Sequence, residues 1–204
     1  DYVDLGTSFG NFGTNDFTLE TWFKTTQNSS NYVGLLSKRS PCNHDNFWNI
    51  VMVNGKIHFE IDENGANYLD LITPLAYNDG TWHHVACVRS GTSLKIYMDG
   101  SLVTSGNTSG TTNLTNATSV KMGQSPCGNF IGDLDEVRIW NTARTCEEIK
   151  QLYNCELAGN ESNLTAYYKF NQGLAVSDNS GIPNLTDSSP NGYNGTFQNM
   201  PRTG

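Results

Sequence analysis

The sequence lacks what membrane-spanning and nucleic-acid-binding proteins need. No run of apolar residues approaches the about 18 that a membrane-spanning helix requires, so we expect no insertion into a membrane. Basic residues are few: 12 Lys and Arg stand against 20 Asp and Glu, for a formal net charge of −8. Because the phosphates of nucleic acids and anionic lipids attract Lys and Arg, this acidic balance argues against both as partners.

The spacing of the cysteines argues against zinc and indicates a disulfide. None of the five cysteines belongs to a Cys-x-x-Cys pair. Cys42 and Cys127 each follow Ser-Pro in a polar loop, which predicts a Cys42–Cys127 disulfide in an oxidising compartment. Cys87 lies within a predicted strand, where we expect a buried free thiol. Cys146 and Cys155 flank a predicted helix that rises about 13 Å, too far for a bridge unless the helix is shorter.

Short extended segments separated by turn dipeptides make up most of the chain. Asn54-Gly55, Asp79-Gly80 and Asp99-Gly100 tolerate positive φ and are typical of turns between strands. The segments around them alternate apolar and polar residues, as half-buried antiparallel strands do. One convincing helix is predicted over residues 145–153, where Thr145 and Glu148 form a capping box. The 204 residues therefore predict a single all-β antiparallel sandwich domain with one short helix.

Aromatic and amide side chains in loops and at strand ends are candidates for ligand contact. The side chains in such positions are Tyr32, His44, Asn46, Trp48, Tyr68 and Tyr193. Among them we predict ligand contacts for His44, Asn46, Trp48 and Tyr68, with core packing as the competing interpretation for each aromatic. Trp22, Trp82 and Trp140 lie in apolar alternating segments, so we expect them in the core.

Two acidic stretches offer oxygen ligands for calcium, which takes about six to eight oxygens. Asp133 and Asp135 share one face of a predicted strand. The segment from Asp187 to Asn194 is dense in side-chain oxygens. The competing interpretation is an ordinary acidic strand and a loop built from Asx turns.

Glu60 and Asp62 share a strand face and invite comparison with glycoside hydrolases. Retaining enzymes of that class need two carboxyl groups about 5–5.5 Å apart. Glu63 points to the opposite face or lies in the turn, and Asn64 occupies the position where another carboxylate would be needed. A solvated, charged hairpin end is the favoured interpretation.

Several separated segments follow one another with a characteristic order and spacing. They are Tyr2–Gly6, Phe17–Lys24, Leu36–Arg39, Asp79–Ala86, Ile96–Gly100 and Leu134–Arg144, which leads into Glu147–Ile149. In these segments the chain resembles the laminin G-like and pentraxin-like modules of the concanavalin A-like lectin/glucanase superfamily. The resemblance implies a jelly-roll β-sandwich. Residues 164–170 and 187–196 are similar to a segment that comes first in many members. Here it comes last, and we expect residues 164–200 to close this sandwich as a strand pair rather than begin another module.

The resemblance also implies a function. Family members are extracellular or cell-surface modules that bind carbohydrate or protein ligands in adhesion, and many bind calcium. Asp135, in the motif Asp-Glu-Val-Arg-Ile-Trp, matches a position where related folds place a structural calcium ligand. Asp187 and Asn191 are the other candidate ligands, although Pro190 replaces the usual glycine of their loop.

We therefore predict a non-enzymatic recognition module that binds a glycan or a surface protein through loops at one rim, with structural calcium. The chain is expected to be a mature protein or an excised module, and a homo-oligomer or a place in a larger surface protein is compatible with it. Two alternatives stay open. One is a structural subunit that repeats in a surface filament or layer, and the other is a glycoside hydrolase.

Overall fold

The computed structural model describes residues 1–173 and 177–200, and within these residues the chain forms fifteen β-strands and one α-helix. The strands form two sheets that pack face to face. The larger sheet contains, in spatial order, β15 (Thr196–Gln198), β1 (Tyr2–Asp4), β10 (Lys121–Met122), β3 (Val33–Lys38), β4 (Asn46–Val53), β5 (Lys56–Glu63) and β6 (Ala66–Ile72), with β11 (Gln124–Ser125) and β12 (Gly128–Asn129) beside β3. The smaller sheet contains β14 (Leu164–Tyr168), β13 (Asp133–Trp140), β2 (Phe17–Lys24), β7 (Trp82–Ser90), β8 (Ser93–Met98) and β9 (Ser101–Asn107). The helix α1 (Cys146–Leu152) lies outside the smaller sheet.

The architecture confirms the predicted antiparallel sandwich and its helix. Asn54 and Gly55 have φ values of 50° and 76° in the β4–β5 hairpin, and Asp99 and Gly100 have values of 50° and 77° between β8 and β9. Thr145 caps α1: its hydroxyl accepts from the Glu148 amide while the Glu148 carboxylate accepts from the Thr145 amide. Among the described residues, no helix has the length and apolar character that a membrane crossing would demand.

One large apolar core lies between the sheets, a smaller one lies beneath α1, and another small one is formed by Trp140, Leu157, Leu164 and Tyr167. The main core includes Phe17, Leu19, Phe23, Ile50, Phe59, Val85 and Cys87. On β7 the residues that alternate with Val85 and Cys87 are also covered, because Ala86 and Val88 pack with Tyr97 against Ile149 of α1. The expectation that β7 would be only half buried was therefore wrong: the main core covers one face of the strand, and α1 covers Ala86 and Val88 on the other.

The C-terminal segment contributes an edge strand to each sheet. Strand β14 pairs with β13 in the smaller sheet, and β15 pairs with β1 in the larger one. Residues 174–176 of this segment lie outside the described residues. Asp187 fastens the loop before β15, since its carboxylate accepts from the amides of Tyr167, Ser189 and Tyr193 and from the Ser189 hydroxyl.

Candidate functional site

The outer face of the larger sheet carries a polar cavity. On β5, Ile57, Phe59 and Ile61 enter the main core, so His58, Glu60 and Asp62 must point to the opposite face. A cavity of about 240 Å³ opens on this face. Its lining includes Tyr32, Arg39, His44, Glu60, Tyr68 and both residues of the Cys42–Cys127 pair. This set is called the polar cavity below.

Glu60 lies at the floor of the polar cavity and is held from two sides. One carboxylate oxygen accepts from Arg39 Nη1 at 3.3 Å and the other from the Tyr68 hydroxyl at 2.8 Å. Glu60 is only 2% exposed, and this burial raises the pKa of its carboxyl group despite both partners. Burial, followed by the charge of Glu60, raises the pKa of the Tyr68 phenol well above its usual value. The phenol therefore stays protonated and acts as a donor.

Arg39 organises the loop at the mouth of the cavity. Its guanidinium lies 3.8 Å from the centre of the Phe47 ring and donates to the carbonyl oxygens of Pro41 and Asn43. These contacts, with the bond to Glu60, leave the guanidinium little capacity for an external anion. Arg39 is thus a fixed wall of the site.

His44 stands at the rim and is anchored from below. Its Nδ1 lies 2.6 Å from the Asp62 carboxylate, and the second oxygen of Asp62 accepts from the Gly65 amide. The His44 side chain is 61% exposed while that of Asp62 is fully buried. The His44 ring meets the Tyr68 ring edge-on at 5.2 Å. Together the two rings present an exposed aromatic corner whose orientation is fixed.

A further histidine–aspartate pair lies on the same face. His58 Nδ1 lies 2.9 Å from an Asp70 carboxylate oxygen, and Tyr32 meets the His58 ring edge-on at 5.5 Å. Burial raises the pKa of Tyr32, and the charges of Asp70 and Glu60 raise it further. Three carboxylates therefore face this side of the sheet, each hydrogen-bonded within the protein.

The predicted disulfide closes the rim, and the structure confirms it. Cys42 and Cys127 are bonded, with their Cα atoms 5.3 Å apart. The bond joins the loop between β3 and β4 to the loop between β11 and β12. Ser125 strengthens the second loop by donating to the Tyr32 carbonyl. Cys87 is free and buried as expected, and Cys146 and Cys155 are also free.

The structure brings two of the four predicted contact residues together. His44 and Tyr68 both line the polar cavity. Asn46 lies outside it, and its amide donates to the Thr115 carbonyl. The prediction for Trp48 was wrong: the side chain is 0% exposed and its indole N–H donates to the Gly10 carbonyl. A residue without exposed surface cannot contact a ligand.

The prediction for Trp82 was wrong in the opposite direction. We expected it in the core, yet it is 42% exposed at the first position of β7. Trp140 is buried as predicted, and Trp22 is partly exposed. Tyr193, the remaining aromatic candidate, stacks on Phe9 at 4.7 Å between ring centres.

The three predicted calcium ligands do not fit one shared metal site. Both oxygens of Asp187 already accept two hydrogen bonds each from protein donors, and the Asn191 amide donates to the Thr165 carbonyl. Asp135 lies in a different cavity, on the outer face of the smaller sheet. Over residues 1–173 and 177–200, no group of three or more His, Cys, Asp or Glu side chains could hold a metal ion. Calcium binding stays a prediction.

Glu60 and Asp62 share a face as predicted, but each carboxylate is committed to protein partners. Asp62 is fully buried between His44 and the Gly65 amide. A glycoside hydrolase needs one carboxylate free to attack or to activate water. Neither carboxylate meets this need, because both are buried and bonded within the protein.

Three members of this polar face were not predicted: Arg39, His58 and Asp70. A signal for part of it was present, since β5 alternates Ile57, Phe59 and Ile61 with three ionisable residues. That period of two places His58 on the face of Glu60 and Asp62. The contributions of Arg39 and Asp70 depend on sheet order, which the sequence does not give.

Comparison with known proteins identifies the family. Residues 1–150 match the family model described as the concanavalin A-like lectin/glucanase superfamily. The chain belongs to this superfamily. Its structure is similar to that of a protein from Bacteroides ovatus described as carbohydrate-binding, with a TM-score of 0.72 and 17% identity over 96% of this chain and 55% of that one. It is also similar to the Ruminococcus gnavus IT-sialidase CBM40 bound to alpha2,3 sialyllactose, with a TM-score of 0.56 and 14% identity over 69% of this chain and 84% of that one.

A curated relative also shows similarity in sequence. The chain is 24% identical over 166 residues to the adhesion G-protein coupled receptor V1 of Danio rerio. That match covers 77% of this chain but only 3% of the receptor. The matched region is therefore a small part of that receptor.

Proposed function

We propose that this superfamily member is an extracellular recognition module that binds a glycan in the polar cavity. The observation that carries the proposal is the cavity itself: exposed aromatic edges stand beside fixed hydrogen-bonding groups on a sheet face clamped by a disulfide. Sugars are bound by such a combination of apolar ring contact and oriented polar groups. Its volume of about 240 Å³ is below the usual range for small-molecule sites, which favours a single sugar residue.

The charges around the cavity favour a neutral sugar. Glu60, Asp62 and Asp70 place three carboxylates on this face. Arg39 is engaged by Glu60 and by two carbonyl groups, so it is not free to pair with a sugar carboxylate. The negative charge of these carboxylates disfavours an anionic sugar nearby and leaves a neutral sugar unaffected. The proposed preference differs from the sialylated ligand of the Ruminococcus gnavus domain.

The same face could be occupied by a protein ligand in adhesion, as the similarity to the Danio rerio receptor supports. Because the chain spans so little of that receptor, a protein ligand is the second candidate. The disulfide and the family support an extracellular location for either function.

A glycan array that carries neutral and sialylated sugars, probed with and without a chelator, tests the proposal. We expect binding to neutral glycans that survives chelation, because Asp187 is saturated by protein donors. Tyr68→Ala should weaken binding about tenfold or more, since it removes an exposed ring and a donor. Leu102→Ala, an exposed change on β9, is the matched control and should leave binding unchanged.

Absence of binding to any glycan in both conditions would count against the glycan proposal. Loss of binding on chelation would show that binding requires a metal ion, as the calcium prediction states. A preference for sialylated over neutral sugars would contradict the argument from charge.

A further inference from the structure

The outer face of the smaller sheet has a covered half and an open half. Helix α1 covers Ala86 and Val88 on β7, but it leaves the beginning of β7 and the end of β2 open. A cavity of about 390 Å³ lies there, lined by Trp22, Trp82, Tyr153, Asp135, Glu136 and Glu156 among others. These six residues define what is called the indole cavity below. None of them lines the polar cavity.

The aromatic walls of the indole cavity are held in place. The Trp22 ring stacks on the Tyr153 ring at 6.0 Å between centres, and the Trp22 indole N–H donates to the Tyr153 carbonyl at 2.8 Å. Trp82 is paired with Lys24 across the β2–β7 ladder and keeps 42% of its surface exposed. The exposed part of this indole is apolar surface whose burial by a ligand is favourable.

The polar walls hold three carboxylates and one guanidinium, that of Arg138. Glu136 is engaged by Arg138 and by the Tyr167 hydroxyl, and Glu156 is engaged at the rim by Lys169. Asp135 accepts at one oxygen from the Glu136 amide, and its other oxygen has no hydrogen-bond donor in the described part of the chain. Burial raises the pKa of Asp135, and the charges of Glu136 and Glu156 raise it further. Arg138 belongs to the same lining and pairs with Glu136, while Lys169 pairs with Glu156. In the described part of the chain, Asp135 is therefore the lining carboxylate without an ion pair, and it lies beside aromatic faces.

The protein already places a cation on one of these rings. The ammonium group of Lys24 lies 5.7 Å from the centre of the Trp82 ring while it pairs with Asp133 at 3.3 Å. Lys24 is not part of the cavity lining, so the space between the two indoles and Asp135 stays open. An ammonium group is attracted both by an aromatic face and by a carboxylate, and the indole ring is the strongest aromatic partner.

We propose that the indole cavity binds the ammonium group of a lysine side chain presented by a partner protein, with Trp22 and Trp82 flanking it and Asp135 as its counter-ion. The site lies on the sheet opposite to the polar cavity and does not depend on the glycan proposal. It would give the module a protein-binding face on one side and a glycan-binding face on the other.

The test uses the intact chain and n-butylammonium as the analogue of a lysine side chain, with 1-butanol as its uncharged match. Binding is followed by the NMR signals of the Trp22 and Trp82 indole N–H groups. We expect saturable shifts with the amine and about tenfold weaker binding of the alcohol. Asp135→Asn, which keeps the shape, should weaken amine binding about tenfold, and Trp82→Ala should weaken it by a similar factor. Tyr68→Ala should leave it unchanged.

Three results would overturn the proposal. Equal binding of amine and alcohol would show a merely apolar cavity. Wild-type affinity for the amine in a folded Asp135→Asn variant would show that Asp135 is not the counter-ion. Indole shifts with neutral sugars and none with the amine would assign the cavity to a glycan instead.

Discussion

Glu20 and Glu60 are buried carboxylates on the outer faces of the two sheets, and their surroundings differ sharply. Glu20, beside α1, lies 3.3 Å from His84, 3.8 Å from Arg138 and 3.7 Å from Arg144. Glu60 has one guanidinium and one phenol as partners, and other carboxylates share its face. The same pattern, an acidic residue pointing away from the core, therefore produces two different environments.

The pKa shifts of the two carboxyl groups record this difference. Burial tends to raise the pKa in both. For Glu20, the hydrogen bond and charge of His84 together with the two arginines outweigh burial and hold the pKa below its usual value. For Glu60, burial outweighs the partners and the pKa is raised. Glu20 is thus an internal anchor held by three basic side chains, whereas Glu60 has a single basic partner, Arg39.

The largest expected effect tests the anchor. Glu20→Gln leaves buried cationic groups without their anion, so we expect the free energy of unfolding to fall by about 3–5 kcal/mol. Chemical denaturation at pH 7 measures it. Glu147→Gln, on the exposed first turn of α1, is the control and should change stability by less than about 0.5 kcal/mol. A loss no larger than that of the control would contradict the assignment of Glu20.

The next effect concerns the clamp beside Glu60. Replacing Cys42 and Cys127 together by Ser removes a cross-link between residues 85 positions apart. We expect the free energy of unfolding to fall by about 2–4 kcal/mol and glycan binding to weaken, because the rim loops lose their connection. Cys155→Ser, at an exposed free thiol, should change neither. Unaltered binding in the double variant would show that glycan binding does not depend on the Cys42–Cys127 disulfide.

A smaller effect is expected at Tyr68. Tyr68→Phe removes the hydroxyl that donates to Glu60 at 2.8 Å but keeps the ring. The free energy of unfolding should fall by about 0.5–1.5 kcal/mol. Glycan affinity should fall less than in Tyr68→Ala, since ring contact is retained. Equal affinities for the two variants would show that the hydroxyl, not the ring, carries the interaction.

The smallest change in stability is expected at Glu60 itself, with a distinctive pH dependence. The lowered pKa of Glu20 adds stability above the unfolded value of 4.5, and this is lost as pH falls through the folded value. The raised pKa of Glu60 acts in reverse: stability is lost as pH rises from 4.5 through the folded value. At pH 7, the free energy of unfolding of Glu60→Gln should therefore lie within about 1 kcal/mol of the wild-type value, or above it. Glycan binding by this variant should be lost.

Chemical denaturation of Glu20→Gln and Glu60→Gln between about pH 3 and pH 7 compares the pH dependence of their stabilities, because this range includes the usual pKa of a carboxyl group. Glu20→Gln should lose less stability than the wild type as the pH falls. Glu60→Gln should remove the opposite loss at higher pH. Identical profiles for the two variants would mean that the two environments are not electrostatically different.

Much of the fold was predictable because local signals and tertiary structure agree. The dipeptides Asn54-Gly55 and Asp99-Gly100, the capping box of Thr145 and the alternation along β2 each act over a few residues. The pairing of Cys42 with Cys127 followed from their shared loop context. None of these inferences required knowledge of sheet order.

The errors share one physical cause, which is coverage by distant segments. Trp48 belongs to a strand that is buried on both faces, so alternation could not assign its side. Trp82 is in an apolar segment but lies beyond the reach of α1. The Asp187 carboxylate shows the same dependence on packing, because it accepts from amides of β14 and of its own loop, and its role as a calcium ligand stays a prediction. Which polar groups stay available to a ligand is decided by packing across the chain.

The most direct test of the central claim is to map ligand contacts on the isotope-labelled chain by NMR, using a glycan that binds on the array. We expect the largest shifts at His44, Glu60 and Tyr68, and no movement of the Trp22 and Trp82 indole signals. Shifts confined to the indole cavity, or spread over the rim with none at the polar cavity, would contradict it.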